Sequence, residues 1–184
     1  MPTEDSKANN EVQVREVIAS WAKAFSAKDV EGTMACFAPD VLTFDLAPPL
    51  QYAGREVIRK VLEDWFPTWD GPIGLEIRDL RVTADGHVAY CTSLQRMSGT
   101  KADGEKPNLW FRSTMCLQKI DGTWRIAHEH TSTPFYMDGS EVPGPELPLQ
   151  KAARTGASIP AQELETRFVD GRVLYLLVNA APIS

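Results

Sequence analysis

Asp-Gly pairs punctuate the middle of the chain and constrain its fold more than any other feature. They stand at 85–86, 103–104 and 121–122, and they separate runs of alternating apolar and polar residues at about 73–85, 87–99, 107–120 and 123–134. Asp-Gly accepts the positive φ angles of tight hairpin turns. The pattern therefore predicts four antiparallel strands in series. The alternation shifts between Ile77 and Leu80, which predicts a bulge there.

Helical spacing of apolar residues dominates the chain before these strands. The predicted elements are a helix over about 11–27 capped near Asn10, a short helix after Asp29, a strand at 41–45 and a third helix between Gly54 and Pro67. Helices followed by antiparallel strands indicate an α+β fold. We expect a cone-shaped barrel, with three N-terminal helices packed on a curved antiparallel sheet and a mouth that holds a small molecule.

The domain organisation follows from the change in composition along the chain. Residues 1–9 are predicted to be a disordered polar tail, and 10–138 the cone domain. Residues 139–184 are predicted to be a Pro-rich linker and a C-terminal hairpin or arm around Asp170-Gly171. This last segment either packs on its own domain or is donated to a neighbouring subunit.

Composition excludes several classes of function. The net charge of −6 supplies no basic footprint, so neither nucleic acid nor a membrane is an expected partner. The cysteines are widely spaced and include no Cys-x-x-Cys, which argues against disulfides and zinc and suits a reducing compartment. The polar N-terminus and the absence of a long apolar run predict a cytoplasmic protein. Glycine-rich phosphate loops and the Gly-x-Ser-x-Gly motif are absent from the sequence, and no cofactor is predicted.

Longer motifs carry a resemblance to a known family. They are FAPDVLTFDLAPPLQYAGREVIRKVLEDWF at 37–66, LWFRSTMCLQKIDGTW at 109–124 and HEHTSTPF at 128–135. Together they resemble the SnoaL-like, ketosteroid-isomerase-like members of the nuclear transport factor 2 superfamily, over about residues 10–137. The resemblance implies the cone fold and a homodimer formed through the convex face of the sheet. It implies no particular reaction.

Asp45 is the first candidate catalytic residue. It ends a predicted strand among Phe44, Leu46 and Leu50, where removal from water would strengthen it as a general base. The resemblance also implies that Asp45 stands where ketosteroid isomerases have their base. Their oxyanion hole is made by a Tyr and a protonated Asp, whose positions correspond to Trp21 and to the neighbourhood of Cys116. Because Trp donates one N–H and Cys is a weak donor, steroid isomerisation by the same apparatus is not predicted.

His128 and His130 alternate with Glu129 on the last predicted strand, so one face carries the histidines and the other the glutamate. Alternation alone does not decide which face lines the cone. The resemblance favours Glu129 inside, and a bulge of one residue would invert the assignment. The histidines are candidates for an acid–base set with Asp45, for structural hydrogen bonds to neighbouring strands or a dimer partner, or for a His-x-His metal site that lacks a third spaced ligand.

Arg112 is the other candidate catalytic residue. It interrupts a mainly apolar strand, so it is expected to pair with a carboxylate or to bind a substrate anion or enolate. Trp21, Tyr52 and Trp110 are candidates for the pocket wall.

These residues lead to two functional hypotheses. The first is a small-molecule enzyme of the isomerase, cyclase or dehydratase type that uses Asp45 as general base in an apolar pocket. The alternative is a non-catalytic domain, which either binds a small apolar acid or anion or serves as an assembly domain that exchanges residues 139–184 between subunits.

Overall fold

The computed structural model describes residues 4–134, 157–167 and 173–180. The chain divides into a main unit, Met1–Thr133, and a C-terminal unit, Pro134–Ser184. The main unit has the predicted α+β class, with helices on one side of a curved, mostly antiparallel sheet.

The helices of the main unit are α1 (Glu4–Ser26), α2 (Val30–Ala35) and α3 (Arg55–Trp65), and a 3₁₀ turn at Phe66–Thr68 follows α3. Asp29 caps α2 as predicted, because its Oδ1 accepts a hydrogen bond from the Gly32 N–H at 3.0 Å. The C-terminal boundary of α2 differs from the prediction, since Phe37 belongs to a strand.

Helix α1 begins at Glu4, well before the predicted start near residue 11. Apolar periodicity is absent from residues 4–10, so the pattern could not place a helix there. Asn10 is consequently not an N-cap. Its side chain is buried within α1 and accepts a hydrogen bond from Lys119 Nζ at 3.2 Å.

Six strands form the sheet of the main unit in the order β2-β1-β6-β5-β4-β3. They are β1 (Phe37–Phe44), β2 (Tyr52–Ala53), β3 (Trp69–Asp85), β4 (Val88–Lys101), β5 (Asn108–Ile120) and β6 (Thr123–Ser132). The predicted meander of β3 to β6 is confirmed. The predicted bulge in β3 is confirmed as well, because the pairing of β3 with β4 shifts register between Arg78 and Arg81.

Strand β1 joins this sheet by pairing in parallel with β6, which sequence alternation did not predict. The strand is longer than the predicted 41–45, and it contains Pro39 in its exposed part. The parallel pairing brings the end of the first strand beside the end of the last, and this placement creates the site described below.

The core lies between the helices and one face of the sheet. Fully buried side chains come from α1 (Val14, Ile18), α2 (Met34), β1 (Val41), β3 (Ile73), β5 (Leu117) and β6 (Ile126). This face is called the inner face, and the opposite one the outer face. Apolar burial of this kind is the main source of stability in such a fold.

The C-terminal unit contains an antiparallel hairpin of β7 (Ile159–Arg167) and β8 (Val173–Ala180). The turn at 170–171 and the proposed linker between 139 and 156 lie outside the described residues. None of the described helices is long and apolar enough to cross a membrane.

Candidate functional site

A pocket of about 340 Å³ opens between the helices and the inner face of the sheet. Its wall is mainly aromatic and aliphatic, with contributions from Trp21, Phe25, Phe37, Ile58, Leu62, Trp65, Leu75, Met97 and Phe111. Its polar side chains come from Thr33, Thr43, Asp45, Tyr52, Gln95, Glu129 and Thr131. A concave apolar wall with a few polar groups is typical of small-molecule sites.

A bulge in β6 decides which side chains of the HEH segment enter the pocket. Leu117 of β5 pairs with Ile126, but the next residue back along β5, Cys116, pairs with His128, so Ala127 is the extra residue. Ile126 is buried on the inner face, and strict alternation would place His128 beside it. The extra residue inverts the alternation, and Glu129 lines the pocket instead.

Glu129 is the less exposed of the two carboxyl groups that line the pocket. It lies opposite Met115 on β5 and beside Thr43 on β1, and its remaining accessible surface faces the pocket. Burial, and secondarily the negative charge of Asp45, raises the pKa of Glu129 from 4.5 to about 8. Within the described part of the chain no side chain donates a hydrogen bond to it. Glu129 is therefore mostly protonated at neutral pH and can donate a hydrogen bond.

Asp45 lies at the rim of the same pocket, but it is exposed rather than removed from water as the sequence analysis expected. The reason is that β1 ends at Phe44 and the loop that follows, 47–50, is exposed and does not cover it. Asp45 Oδ1 accepts hydrogen bonds from the Leu46 N–H at 2.6 Å and from Thr131 Oγ1 at 3.3 Å. Its Oδ2 has no donor among the described residues and is available to a ligand.

Thr131 lies next to both carboxyl groups. It stands two residues beyond Glu129 on the same face of β6 and is nearly buried. Its hydroxyl has two acceptors within reach, Asp45 Oδ1 at 3.3 Å and the Phe44 carbonyl oxygen at 3.4 Å. The sequence analysis did not single out Thr131. It also did not single out Gln95, which lies on the inner face of β4 in phase with buried Ala89 and Cys91. A polar residue at the same alternating positions as buried Ala89 and Cys91 was therefore the sequence feature from which Gln95 could have been predicted.

Trp21 and Tyr52 lie in the pocket wall, where the sequence analysis expected them. Trp21 stacks on Phe25 with ring centroids 5.5 Å apart. The Tyr52 hydroxyl donates to the Pro48 carbonyl at 3.2 Å, which ties the loop after β1 to β2.

His128 and His130 lie on the outer face, away from the pocket. His128 Nδ1 donates to the Leu42 carbonyl at 2.8 Å, since a carbonyl can only accept. Both imidazole rings pack edge-on against Phe44, with centroids 5.0 and 5.7 Å away. The structure thus gives the histidines contacts with the neighbouring strand and does not bring them to Asp45 Oδ2.

Arg112, Trp110 and Cys116 also lie on the outer face, because the inner face of β5 carries Phe111, Met115 and Leu117. Arg112 is exposed and pairs across the strands with Leu94 and Ser132. It contacts neither pocket carboxyl group. The reason is that the odd-numbered residues of β5 face the core, and Arg112 has an even number and so points to the outer face.

Trp110 supports charged groups on the outer face instead of lining the pocket. The Arg78 and Arg96 guanidinium carbons lie 4.7 and 5.7 Å from its ring centroid, and both arginines pair with Glu76. Cys116 lies opposite His128. Among the described residues no group of at least three His, Cys, Asp or Glu side chains is arranged to hold a metal ion.

Comparison with known proteins places the chain in a family. The model of the SnoaL-like domain matches residues 14–136. An NTF2-like protein of unknown function from Pseudomonas putida is similar in structure, with a TM-score of 0.67 and 29% identity over 73% of this chain and 94% of that one.

More distant structures share the fold. A putative dehydratase of the NTF2-like family from Streptomyces avermitilis has a TM-score of 0.62 and 15% identity, covering 70% of this chain and 98% of its own. A ketosteroid isomerase-like protein from Erwinia carotovora has a TM-score of 0.59 and 20% identity, covering 67% and 95%. The comparison with curated proteins gives no match. With its family model matching most of its length, the chain belongs to the SnoaL-like domain family.

Proposed function

We propose that the protein is a small-molecule enzyme that moves a proton next to a carbonyl group, as isomerases, cyclases and dehydratases do. The observation that carries this proposal is the presence of two carboxyl groups with different environments in one apolar pocket. Paired titratable groups with separated proton affinities are the usual basis for assigning an acid and a base.

In the proposed reaction, Asp45 is the base. Its Oδ1 is held by Leu46 N–H and Thr131 Oγ1, which leaves Oδ2 to take a proton from the carbon next to the carbonyl. Glu129 is the acid: its protonated carboxyl donates a hydrogen bond to the carbonyl oxygen and stabilises the enolate that forms. Transfer of the proton from Asp45 to another carbon or to a leaving group completes the reaction.

The neighbouring structures support this proposal at the level of chemistry. A putative dehydratase from Streptomyces avermitilis and a putative scytalone dehydratase from Novosphingobium aromaticivorans share the fold. Dehydration is one of the reaction types proposed here. The substrate is expected to be small and largely apolar because most of the wall is.

The test is exchange of the acidic protons of 2-tetralone in D₂O, followed by ¹H NMR with the full chain. We expect the protein to accelerate exchange, and Asp45→Asn, which preserves shape, to lower the rate about 10²-fold or more. Asp40→Asn is the matched control, because Asp40 is exposed on β1, the strand that ends just before Asp45, and does not line the pocket. Unchanged exchange in Asp45→Asn would contradict the assignment. Binding of the ketone without exchange would favour the non-catalytic alternative.

We also propose that the protein is a homodimer formed through the outer face of the sheet. Val88, Tyr90, Leu94 and Trp110 expose between 37% and 59% of their surface on this face. Large apolar side chains grouped on one exposed sheet surface are typical of protein interfaces.

A further inference from the structure

The Gln95 side chain is a buried amide with one end unpaired. Gln95 is only 1% exposed and lines the pocket. Its Nε2 donates to Ser93 Oγ at 3.2 Å. Its Oε1 is buried and has no hydrogen-bond donor among the described residues.

The surroundings of Gln95 do not explain why a polar residue stands there. Phe111 is its direct neighbour on β5, Ile77 its neighbour on β3, and Met97 follows it on the inner face of β4. A buried carbonyl oxygen without a partner destabilises the folded protein. Leucine or methionine would fill the same space without that penalty, so the amide is better explained by a group that enters the pocket.

A second unpaired polar atom lies nearby. Ser113 is 4% exposed, and its Oγ has no partner among the described residues. It stands directly opposite Ser93, the residue that holds the Gln95 amide. The inner face of β4 and β5 thus has unsatisfied hydrogen-bonding capacity at one place within an otherwise apolar region.

Ser113 pairs directly with Thr131 on β6, but Gln95 itself is separated from Glu129 along the sheet. Strands β4 and β6 are two strand spacings apart, about 10 Å. Glu129 is level with Met115 on β5 and hence with Cys91 on β4, and Gln95 lies four residues further along β4, about 13 Å. A ligand that fills the pocket would therefore meet the Gln95 amide and the Glu129 carboxyl group with different parts of its body.

We propose that Gln95 is a ligand-binding residue whose Oε1 accepts a hydrogen bond from a hydroxyl or N–H group at the far end of the substrate. The ligand class is a ketone with a largely apolar body and one hydrogen-bond donor remote from its carbonyl. The position of the carbonyl rests on the proposed function. The donor at Gln95 does not, since it follows from the unpaired Oε1.

The test compares two probes, 6-acetyl-2-naphthol and its methyl ether, in which a methyl group replaces the hydrogen of the O–H donor. Their dissociation constants are measured by fluorescence and calorimetry with the full chain. We expect the naphthol to bind about tenfold more tightly than the ether to the wild-type protein. Gln95→Met keeps the volume and removes the acceptor, so this ratio should fall to about one while affinity for the ether is retained.

Controls separate the inference from a folding defect. Thr92→Ser lies on the outer face of the same strand and should keep the tenfold ratio. Gln95→Met should melt at the same or a higher temperature, because it removes an unpaired buried oxygen. Should Gln95→Met fail to fold, Gln95→Leu provides the same comparison.

Each outcome decides between the claims. A naphthol preference that survives in the folded Gln95 variant overturns the role of Gln95. Equal affinities of both probes for the wild-type protein overturn it too, while 2-tetralone exchange still tests the carboxyl pair. Loss of exchange in Asp45→Asn together with an unaltered naphthol preference supports both claims. Binding of neither probe overturns the inference.

Discussion

Thr43 and Glu129 are paired neighbours across the parallel junction of β1 and β6. Because both strands continue in the same direction, the next inner-face positions are Asp45 and Thr131, and these two are joined by a hydrogen bond of 3.3 Å. The register of one strand pair therefore aligns the proposed base, the proposed acid and the hydroxyl between them.

The Thr131 hydroxyl should matter to the rate more than to ligand affinity. Thr131→Val keeps the shape but removes a donor to Asp45 Oδ1, so the carboxylate is less well oriented. We expect exchange of 2-tetralone protons to slow about tenfold at saturating ketone, with little change in the concentration for half-saturation. Thr131→Ser restores the hydroxyl and should restore the rate. If the Val and Ser variants behave alike, the hydrogen bond has no part in orientation.

The rate of proton exchange in 2-tetralone should fall as the pH rises through about 8. Glu129 loses its proton there and can no longer donate a hydrogen bond to the carbonyl oxygen of the ketone. Glu129→Gln retains a hydrogen-bond donor at all these pH values. Exchange catalysed by this variant should be slower than that by the wild-type protein, and its rate should not fall as the pH rises through about 8. The measurement is a pH–rate profile between pH 6 and about 9.5. His130→Gln is the control for a histidine origin, since His130 lies on the outer face. A profile that changes in His130→Gln would contradict the assignment to Glu129.

Stability should also depend on Glu129. Its pKa is about 8 in the folded protein against 4.5 as the ordinary value, so between these pH values the unfolded state ionises while the folded state keeps its proton. The contribution of this group to the free energy of unfolding is therefore complete below about pH 4.5. It declines as the pH rises and is lost above about pH 8. At about 1.4 kcal/mol per pH unit, the decline amounts to at most about 5 kcal/mol.

Urea unfolding of the wild-type protein and Glu129→Gln at pH 5, 7 and 9 measures this decline. The variant should be the less pH-dependent of the two and the more stable at pH 9, where it avoids a buried charge. Glu63→Gln, on the exposed surface of α3, should follow the wild-type protein. Parallel curves for the wild-type protein and Glu129→Gln would show that this carboxyl does not titrate as described.

The outer face should govern oligomeric state. Leu94→Lys replaces an exposed apolar side chain of the outer face with a third positive charge between Arg78 and Arg112, and we expect it to shift the protein from twice the 20.4 kDa chain mass to the monomer mass. Leu50→Lys is a matched control, because Leu50 is 94% exposed on a loop. Light scattering after size exclusion makes the comparison. A dimeric Leu94→Lys protein, or a monomeric wild-type protein, would contradict the proposed interface.

Local signals predicted the elements that local chemistry controls. The Asp29 cap, the helix after Gly54 and the turn at Asp121-Gly122 depend on residues close in sequence, and the structure has all of them. The resemblance to a known family supplied the cone fold and favoured Glu129 on the inner side.

The candidate site was harder to predict because non-local pairing positions it. The extra residue Ala127 places the side chains that follow it in β6 on the face opposite to the one that alternation predicts. The alternation of Ile126, His128 and His130 gives no sign of this bulge. Asp45 was found from its place at the end of a strand, but its exposure depends on the path of the following loop. Arg112 drew attention as a charge among apolar residues, yet the parity of β5 sends it to the outer face.

The parallel junction of β1 and β6 has a consequence for how the protein is made. The hydrogen-bonded partners Asp45 and Thr131 are separated by 86 positions, so synthesis must proceed almost through the whole main unit before they can meet. A nascent or truncated chain that ends before β6 lacks Glu129 and Thr131, the two residues that β6 contributes to the pocket. Occupancy of the pocket would then report that biosynthesis of this unit has been completed, and a tight ligand would rescue variants weakened anywhere along it.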